Sequence, residues 1–556
     1  MANFLLTDAC WAERSRRGIP IVLLVVFFVA SAASASEQPV PPTNQQHQTK
    51  TDESSVAGDF KETPEGIQGQ VDQAFGVVVA YVEAVLFFGI PTTGDKAHEI
   101  PFILAVLVLG GICFTLRYGF INLRLFRHSI DVIRGRFDHP EDDGEISHFQ
   151  ALTSALSATV GLGNIAGVAI AISAGGPGAL FWMWFIAFFG MCSKFSSCSF
   201  AQLYRRVNPD GTVLGGPMIY LEQGIRERFP KIAPLGKIFG CAFAVFTVFG
   251  ACGAGNMFQG NQTFAIISMQ FEVSRSFAWV FGIVLAALVG LVILGGIRRI
   301  GEVTSRLVPF MCLFYCAVCL TLIVINITDL PEVIAAIFRG AFTPKAGIAG
   351  FLLALIVGAE RAAFSNEAGL GSAAIAHAAA KTKEPVREGV VAMIGPFIDT
   401  IVVCSMTAFA ILITNSHVNP ETGEAAAVRG DSSIKGVELT AQAFGTLGAF
   451  MPMLLCIAVM VFAYSTMISW SYYGEKATEY LFGQRGIVVY RIVFLAFVVL
   501  GPILSITNVL GFSDVMLFSM AFPNIIGMLM LSGILVPLAK DYIRRLKSGE
   551  MKPVEK

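Results

Sequence analysis

Two glycine-rich segments interrupt long apolar runs of the chain, and both carry polar side chains. The first reads TVGLGNIAGVA over residues 159–169, and the second reads FSNEAGLGS over residues 364–372. Glycine destabilises a helix interior by roughly 1 kcal/mol relative to alanine, so each segment predicts a break in a helix. A break frees backbone N–H groups, which attract a carboxylate, and C=O groups, which attract a small cation. The segments therefore predict a site for ligands of that chemistry.

The first segment also fits a nucleotide-binding pattern, because residues 161–166 read GLGNIA and match G-x-G-x-x-[GA]. That fingerprint requires a strand before it, a helix after it and an acidic residue about 20 positions further on. Here the preceding residues are small and helix-forming, and the region 20 positions on reads LFWMW over residues 180–184. The context argues against a dinucleotide site. A packing role of the glycines in a small-xxx-small face stays open as an alternative.

The composition places both segments inside a membrane. The 556 residues are 54% hydrophobic and 14% charged, whereas soluble domains carry about 25% charged residues. The formal net charge of −1 gives no electrostatic argument for a nucleic-acid partner. Apolar runs long enough to cross the hydrocarbon recur along the chain. They predict eleven spans, near residues 101–120, 150–174, 177–203, 236–262, 277–297, 306–328, 347–377, 387–413, 442–472, 488–507 and 511–538.

The N-terminal region precedes these spans and differs from them in composition. Residues 1–35 predict a signal peptide, because three arginines precede an apolar core and residues 33–35 read ASA, an A-x-A cleavage site. An uncleaved anchor is the alternative. Residues 36–100 predict a periplasmic segment, in which residues 36–70 are polar and form a tether. Within it, the half-polar residues 71–91 predict an interfacial helix, with a full span as the alternative.

Positive residues fix the expected orientation, because cytoplasmic loops carry an excess of lysine and arginine. Clusters lie in alternate loops and in the tail at residues 539–556, which is therefore expected to be cytoplasmic. An odd number of spans then places the N-terminal segment outside, where a cleaved signal peptide would leave it. The cytoplasmic clusters are Arg124, Arg127, Arg134 and Arg136; Arg205, Arg206, Arg226, Arg228 and Lys231; Arg298, Arg299 and Arg306; Lys381, Lys383 and Arg387; and Arg544, Arg545 and Lys547.

The remaining reactive residues do not point to an enzyme. Ten of the eleven cysteines lie in apolar segments, and no C-x-x-C pair occurs in a polar loop. Neither a zinc site nor a disulfide framework is therefore indicated. No nucleophile–base pair and no nucleotide loop is apparent either. We expect a binding or transport protein rather than a catalyst.

An echo between the two glycine-rich segments indicates an internal repeat. Residues 161–164 read GLGN and residues 369–372 read GLGS, a separation of about 208 residues. The predicted spans form two groups of five, over residues 150–328 and 347–538. The first span of each group contains one of the glycine-rich segments. Paired broken helices at the start of two halves are the layout of an inverted repeat.

Four motifs resemble the alanine or glycine:cation symporter family. They read ALSATVGLGNIAGVA, GGPGALFWMW, FSNEAGLGSAAIAHAAA and STMISWSYYGEK, and the resemblance covers about residues 100–540. It implies the all-α fold of the bacterial leucine transporter, a 5+5 inverted repeat with broken first and sixth core helices and one preceding span at 101–120. It also implies a sodium-coupled symporter that imports a small neutral amino acid across the bacterial inner membrane.

The resemblance also implies roles for particular residues. The backbone amides of Leu162 and Gly163 would bind the substrate carboxylate, and the side-chain oxygen of Asn164 would bind a sodium ion beside it. The other residues that the resemblance implies would bind either the substrate or a second sodium ion. The substrate set is Thr159, Gln259, Phe364, Ser365 and Asn366, with Trp470 as a lid; the second sodium set is Ser465 and Thr466, with carbonyls near Ser157 and Val160.

One position departs from the family. The sequence has Ser197 where the family usually has a glutamate, which leaves the partner of Lys194 in doubt.

Other ionisable residues in the spans admit two roles. Asp399 is a hydrogen-bond anchor or a proton relay, and the Glu360–Arg361 pair is structural or part of a gate. Glu367 is expected to bond the unwound backbone, and His377 to be solvated or capping.

Several alternatives stay open from the sequence. A transporter of the same fold could be driven by protons, with Asp399 or Glu367 titrating. A channel or a sensor is a third possibility, although an occluding aromatic argues against an open pore. The preference between alanine and glycine, the preference between enantiomers, the sodium stoichiometry and the oligomeric state are not determined by these patterns.

Overall fold

The structure is a computed structural model that describes residues 66–86, 89–90, 100–139, 141–293, 296–342, 347–418 and 436–554. The predicted signal peptide and tether up to residue 65 lie outside the described residues. Helices dominate the described chain, as the sequence predicts. The strands are two short antiparallel pairs, β1 (Gly89–Ile90) with β2 (Ile100–Pro101) and β3 (Arg206–Val207) with β4 (Val213–Leu214).

The first part of the chain contains the first broken helix. Its helices are α1 (Ile67–Leu86), α2 (Phe102–Arg117), α3 (Ile121–Arg124), α4 (Phe126–Ile133), α5 (His148–Thr159), α6 (Val168–Gly175), α7 (Ala179–Tyr204), α8 (Pro217–Arg228), α9 (Ala233–Cys252), α10 (Phe258–Phe271), α11 (Ala278–Ile293), α12 (Gly296–Ile325) and α13 (Leu330–Phe342). Single π turns at Gly163–Gly167 and Gly253–Met257 precede α6 and α10.

The second part contains the second broken helix. Its helices are α14 (Gly347–Asn366), α15 (Ala373–His377), α16 (Pro385–Ala392), α17 (Ile394–Pro396), α18 (Ser405–Ile413), α19 (Val437–Gly445), α20 (Met451–Phe482), α21 (Gln484–Leu500), α22 (Ile506–Ser519) and α23 (Ala521–Ser548). A π-helical stretch at Phe397–Cys404 precedes α18.

Every predicted span overlaps at least one of these helices. Among the described residues, seven helical stretches are long and apolar enough to cross a membrane, and α5 with the π turn and α6 adds an eighth if the bent pair counts as one span. Three predicted spans fall outside this set. Helix α2 has 16 residues and α21 has 17, while the span at 347–377 is divided between α14 and α15.

The two glycine-rich segments lie at the centre of the packed helices. Residues 151–172 and 361–380 are buried at every position. Helix α5 packs against α12 and α20, and α14 packs against α7 and against α6. Both segments are therefore enclosed by protein, which is the condition for irregular backbone at membrane depth.

The half-polar N-terminal segment forms α1, which begins four residues before the predicted start and packs against α22. Asp72 is buried, and one of its carboxylate oxygens accepts hydrogen bonds from the Ser505 amide at 2.8 Å, the Ser505 hydroxyl at 2.9 Å and the Asn508 side chain at 2.8 Å. The rings of Phe75 and Phe512 lie 5.3 Å apart. Asp72 thus secures α1 to the N-terminus of α22.

We expect Asp72→Ala to release α1 from α22. Each hydrogen bond to a charged group contributes about 1.5–3 kcal/mol, so the amides of α1 should exchange at least about tenfold faster in hydrogen–deuterium exchange. Gln73→Ala is the matched control, because Gln73 is exposed on the same helix. Equal exchange in both variants would show that Asp72 does not hold the helix.

Candidate functional site

The first break separates α5 from the π turn that precedes α6. Helix α5 begins at a capping box, in which the Ser147 hydroxyl accepts from the Gln150 amide and the Gln150 side chain accepts from the Ser147 amide. The chain leaves the helix at Val160, which has a ψ of 84°. The helical axes on the two sides of the break differ by 53°.

The second break lies between α14 and α15, and its backbone is left-handed at three positions. The φ angles are +55° at Glu367, +87° at Gly369 and +97° at Gly371. A Cβ at Gly369 would come within 2.7 Å of Leu107, and one at Gly371 within 2.8 Å of Asn524. Glycine is therefore required at both positions for conformation and for space.

Asp399 joins the two breaks. It lies in the π-helical stretch before α18 and is completely buried. One carboxylate oxygen accepts from the Asn164 side-chain amide at 2.7 Å, and the other accepts from the Ser365 hydroxyl at 2.8 Å and the Thr400 hydroxyl at 2.8 Å. These bonds show the hydrogen-bond anchor that the sequence offered as one of two roles for Asp399.

Asn164 bonds across the first break as well as to Asp399. Its side-chain oxygen, the predicted sodium ligand, accepts from the Gly161 amide at 2.9 Å. Its backbone carbonyl accepts from the Thr407 hydroxyl at 2.7 Å. Asn164 is therefore fixed by contacts on both its side chain and its backbone, and its oxygen faces the unwound residues.

Asn366 has the corresponding position in the second break. Its side-chain oxygen accepts from the Ala368 amide at 2.9 Å, and its side-chain nitrogen donates to the Thr400 hydroxyl at 2.9 Å. The Asn366 carbonyl accepts from the Lys194 ammonium at 3.0 Å. Lys194, whose partner the sequence left in doubt, is thus bonded to the broken helix.

The residues expected to bind a carboxylate lie beside Gln259. The Gln259 side-chain oxygen accepts from the Leu162 amide at 3.1 Å, and its nitrogen donates to the Ala254 carbonyl at 3.0 Å. A Cβ at Gly163 would lie 3.3 Å from Cα of Ser365, so the two breaks approach each other closely there. The Thr159 hydroxyl instead donates to the Ala155 carbonyl of its own helix, at 3.2 Å.

Phe364 and Trp470, the two aromatic residues of the predicted site, have different packing partners. The Phe364 ring packs edge-on against Phe258 at 5.0 Å, and a Cβ at Gly163 would lie 3.4 Å from it. Trp470 on α20 packs against Gly255, where a Cβ would come within 2.5 Å of the tryptophan. Phe364 therefore lies at the breaks themselves, and Trp470 lies beside the π turn at Gly253–Met257 and within hydrogen-bonding reach of Glu367 in the second break.

The residues of the predicted second sodium site also come together. The Ser157 hydroxyl donates to the Ser465 carbonyl at 2.8 Å, and the Thr466 hydroxyl donates to the Ser157 carbonyl at 3.0 Å. A Cβ at Gly161 would come within 2.4 Å of the Thr466 hydroxyl oxygen. Val160 lies between these contacts at the end of α5. Oxygen atoms of the first broken helix and of α20 therefore converge.

The other ionisable residues of the spans also have polar partners within the protein. Arg361 forms a salt bridge with Asp514 on α22, and its guanidinium lies 5.2 Å from the centre of the Phe364 ring. Glu367 accepts from the Ser372 hydroxyl, a side chain rather than the backbone that we expected. The expectation for His377 was wrong, because this residue is completely buried and bonds to Glu388 at 2.5 Å.

Comparison with known proteins assigns the family. The sodium:alanine symporter family matches residues 76–556. The chain belongs to this family. It is 42% identical to the sodium/alanine symporter AgcS of Methanococcus maripaludis over 81% of this chain and 96% of that protein. It is 34% identical to the putative sodium/proton-dependent alanine carrier protein YrbD of Bacillus subtilis, over 80% of this chain and 90% of that protein.

A solved structure shows a weaker similarity to the symporter. MhsT in complex with L-phenylalanine is 13% identical, covers 71% of this chain and 99% of its own, and has a TM-score of 0.46. This level of similarity assigns no residue of the symporter to a role. The family membership shows a multi-pass transporter and not an enzyme.

Sequence reasoning missed several residues of this symporter that bond to the breaks. Thr400 accepts a hydrogen bond from the second broken segment, and Thr407 donates one to the first. Gln202 and Arg205 donate to carbonyls that follow the second break. The polar residues of the π-helical stretch before α18 were a usable signal, since Asp399 was already singled out there. Nothing in the spacing of Gln202 and Arg205 identifies carbonyls more than 170 positions away as their partners.

Proposed function

We propose that this symporter imports a small neutral amino acid together with sodium by alternating access. The substrate would be alanine in either enantiomer, glycine, or both. The observation that carries the proposal is the connection of both breaks through Asp399. Asn164 and Ser365 bond to opposite oxygens of the Asp399 carboxylate. A ligand that binds at one break would therefore change the hydrogen bonds at the other break.

The residues suggest how the ligands would share the site. The substrate carboxylate would take the amides of Leu162 and Gly163, and Gln259 would release the Leu162 amide as the substrate enters. A sodium ion would bind the Asn164 oxygen next to that carboxylate. A second would use Ser465, Thr466 and carbonyls near Ser157 and Val160. Sodium prefers hard oxygen ligands, which both groups of residues supply.

We also propose the topology predicted from the sequence. Eleven spans would form a leucine-transporter-like 5+5 inverted repeat preceded by the span at 101–120, with the repeats at 150–328 and 347–538. Residues 36–100 would face the periplasm and residues 539–556 the cytoplasm. The positive residues of alternate loops support this orientation.

Removal of residues 1–35 is a separate expectation of this topology. Mass spectrometry of the purified protein should begin after Ala35, and a reporter fused at residue 50 should be active in the periplasm. Detection of Met1 in the purified protein, or a reporter active only in the cytoplasm, would reject the predicted signal peptide.

Equilibrium binding tests the proposal directly. Radiolabelled alanine should bind the purified protein in sodium, and its affinity should fall when potassium replaces sodium. A proton-coupled transporter is the second candidate, favoured by the buried Asp399 carboxylate and by the name of the YrbD relative. That candidate predicts that the affinity for alanine is the same in sodium and in potassium and that it changes with pH. No alanine binding in either ion would reject both candidates.

The proposed pocket predicts a limit on substrate size. With the carboxylate at Leu162 and Gly163, the side chain would point towards Phe364, Gln259 and Trp470. Overpacking a rigid site costs roughly 1–3 kcal/mol, whereas a methyl group contributes only about 1 kcal/mol. Alanine and glycine should both bind, and leucine should compete at least about fivefold less well, since 1.4 kcal/mol corresponds to a factor of ten.

Phe364→Ala or Trp470→Ala should raise that limit, so that serine, valine or leucine competes with labelled alanine. Trp279→Ala is the matched control, because Trp279 is an exposed tryptophan on α11. Wild-type binding of leucine as strong as that of alanine would show that these aromatics do not set the limit. An unchanged order of competitors in both truncations would show the same.

A further inference from the structure

A buried cluster of ionisable side chains lies where the two broken helices end. The histidine–glutamate cluster consists of His148, Glu388 and His377, none of which is more than 1% exposed. Nδ1–H of His148 donates to one carboxylate oxygen of Glu388, and Nδ1–H of His377 donates to the other at 2.5 Å. Glu388 therefore binds an imidazole with each oxygen.

The cluster has unused hydrogen-bonding capacity. Among the described residues, Nε2 of His148 and Nε2 of His377 have no hydrogen-bond partner, although both are buried. Nε2 of His148 lies 4.0 Å from a carboxylate oxygen of Asp138, and that oxygen also has no partner there. A proton on His148 would give this imidazole a second N–H that faces a second carboxylate.

The cluster connects the same end of both broken helices. His148 is the first residue of α5, His377 is the last of α15, and Glu388 lies in α16. Backbone bonds reinforce the connection: the Glu145 amide donates to the Ala379 carbonyl at 2.8 Å, and the Lys381 amide donates to the Ile146 carbonyl at 2.8 Å.

Helix α7 holds the chain that follows the second break. The Gln202 side chain donates to the His377 carbonyl at 2.5 Å, and Arg205 donates to the Ala378 carbonyl at 3.0 Å and to the Thr382 carbonyl at 2.9 Å. The segment before α5 and the segment after α15 thus pack into one closed layer below the breaks.

We infer that the histidine–glutamate cluster is a proton-dependent latch that closes this end of the transport path. The inference rests on the proposed alternating access, in which one end of the path must open while the other stays closed. The predicted orientation places this end at the cytoplasmic face. Opening would separate α5 from α15 and α16, and it would break both bonds of Glu388.

The charge of the cluster gives the direction of the pH effect. With both imidazoles neutral the buried cluster carries one negative charge, and one added proton makes it neutral. A buried charge is costly unless it is paired, so an added proton should stabilise the closed, buried cluster more than the open, hydrated one. The neighbouring charged groups leave this sign unchanged. They are Asp138, Asp142 and Asp143 before α5, Cys198 on α7, and Arg205 directly after α7.

Hydrogen–deuterium exchange of the full chain in detergent tests the latch without measuring transport. The reporters are the amides of Glu145 and Lys381, whose bonds cross the closed layer. We expect Glu388→Gln to exchange these amides at least tenfold faster than the wild type near neutral pH. Glu332→Gln is the matched control, because Glu332 is exposed and pairs with Arg339, which is also exposed. His148→Gln replaces Glu388→Gln if that variant does not fold.

The pH profile separates a latch from a merely structural contact. The ratio of variant to wild-type exchange should rise as the pH falls, because an added proton neutralises the buried cluster of the wild type. Taking the ratio at each pH removes the intrinsic pH dependence of exchange. A ratio that stays flat with pH, or reporter amides that exchange equally in wild type and variant, would overturn the inference. Alanine uptake by the same preparations is scored separately, so a failed latch and a failed transport function give different results.

Discussion

Asp399→Asn should abolish sodium-driven alanine uptake while leaving the protein folded. The asparagine has the same shape but offers one acceptor oxygen and one donor nitrogen. Asp399 presents acceptors to Asn164, Ser365 and Thr400, so the new N–H₂ group would face hydroxyl or amide donors. The connection between the two breaks would be lost on at least one side.

The size of this effect follows from the burial of the carboxylate. A hydrogen bond to a charged group contributes about 1.5–3 kcal/mol, and an unsatisfied buried donor costs about 1–3 kcal/mol more. Each 1.36 kcal/mol is a factor of ten in rate, so we expect uptake to fall by at least about 70-fold.

The control for Asp399→Asn is Asp329→Asn, which changes an exposed aspartate between α12 and α13. It should transport like the wild type. The measurement is the initial rate of uptake into proteoliposomes, normalised to the amount of monodisperse protein. A folded Asp399→Asn variant that retains a third or more of wild-type uptake would contradict the proposed role of this carboxylate.

Thr466→Ala should raise the sodium concentration required for half-maximal uptake. The Thr466 hydroxyl lies where α20 meets the end of α5, bonded to the Ser157 carbonyl and close to Gly161. Removing one oxygen ligand of several should cost about 0.5–1.5 kcal/mol. The half-maximal sodium concentration should therefore rise by about two- to twelvefold, since 1.4 kcal/mol is a factor of ten.

Thr478→Ala is a closely matched control for this variant. Thr478 lies on the same helix, is also buried, and donates to the Gly474 carbonyl one turn away, at 2.7 Å. It should leave the sodium dependence unchanged. If Thr466→Ala expresses well and responds to sodium as the wild type does, Thr466 is not a sodium ligand.

The broken helices could be predicted because their signal is local. Glycine clusters such as GLGN and GLGS destabilise a helix, and only a few neighbouring residues are needed to recognise them. In the structure the helix is interrupted at those points, between α5 and α6 and between α14 and α15. The apolar runs gave the positions of the helices for the same reason. The predicted count of eleven spans depended on joining helices across breaks, which length and hydropathy alone do not decide.

The partners of the polar residues could not be predicted, because they are distant in sequence. Asn164 and Asp399 are 235 positions apart, and His148 and Glu388 are 240 positions apart. His377 shows the consequence. Its place near the end of a span suggested water or a cap, but the packing of α5 and α16 around it made it a buried member of a cluster.

Uptake of radiolabelled alanine into proteoliposomes tests the central claim most directly. The purified wild-type protein is given either an inward sodium gradient at equal pH or an inward proton gradient without sodium. Sodium-coupled symport predicts accumulation of alanine above its external concentration under the sodium gradient alone, and collapse of that accumulation when a sodium ionophore is added. Accumulation that follows the proton gradient and is unaffected by sodium would contradict the account.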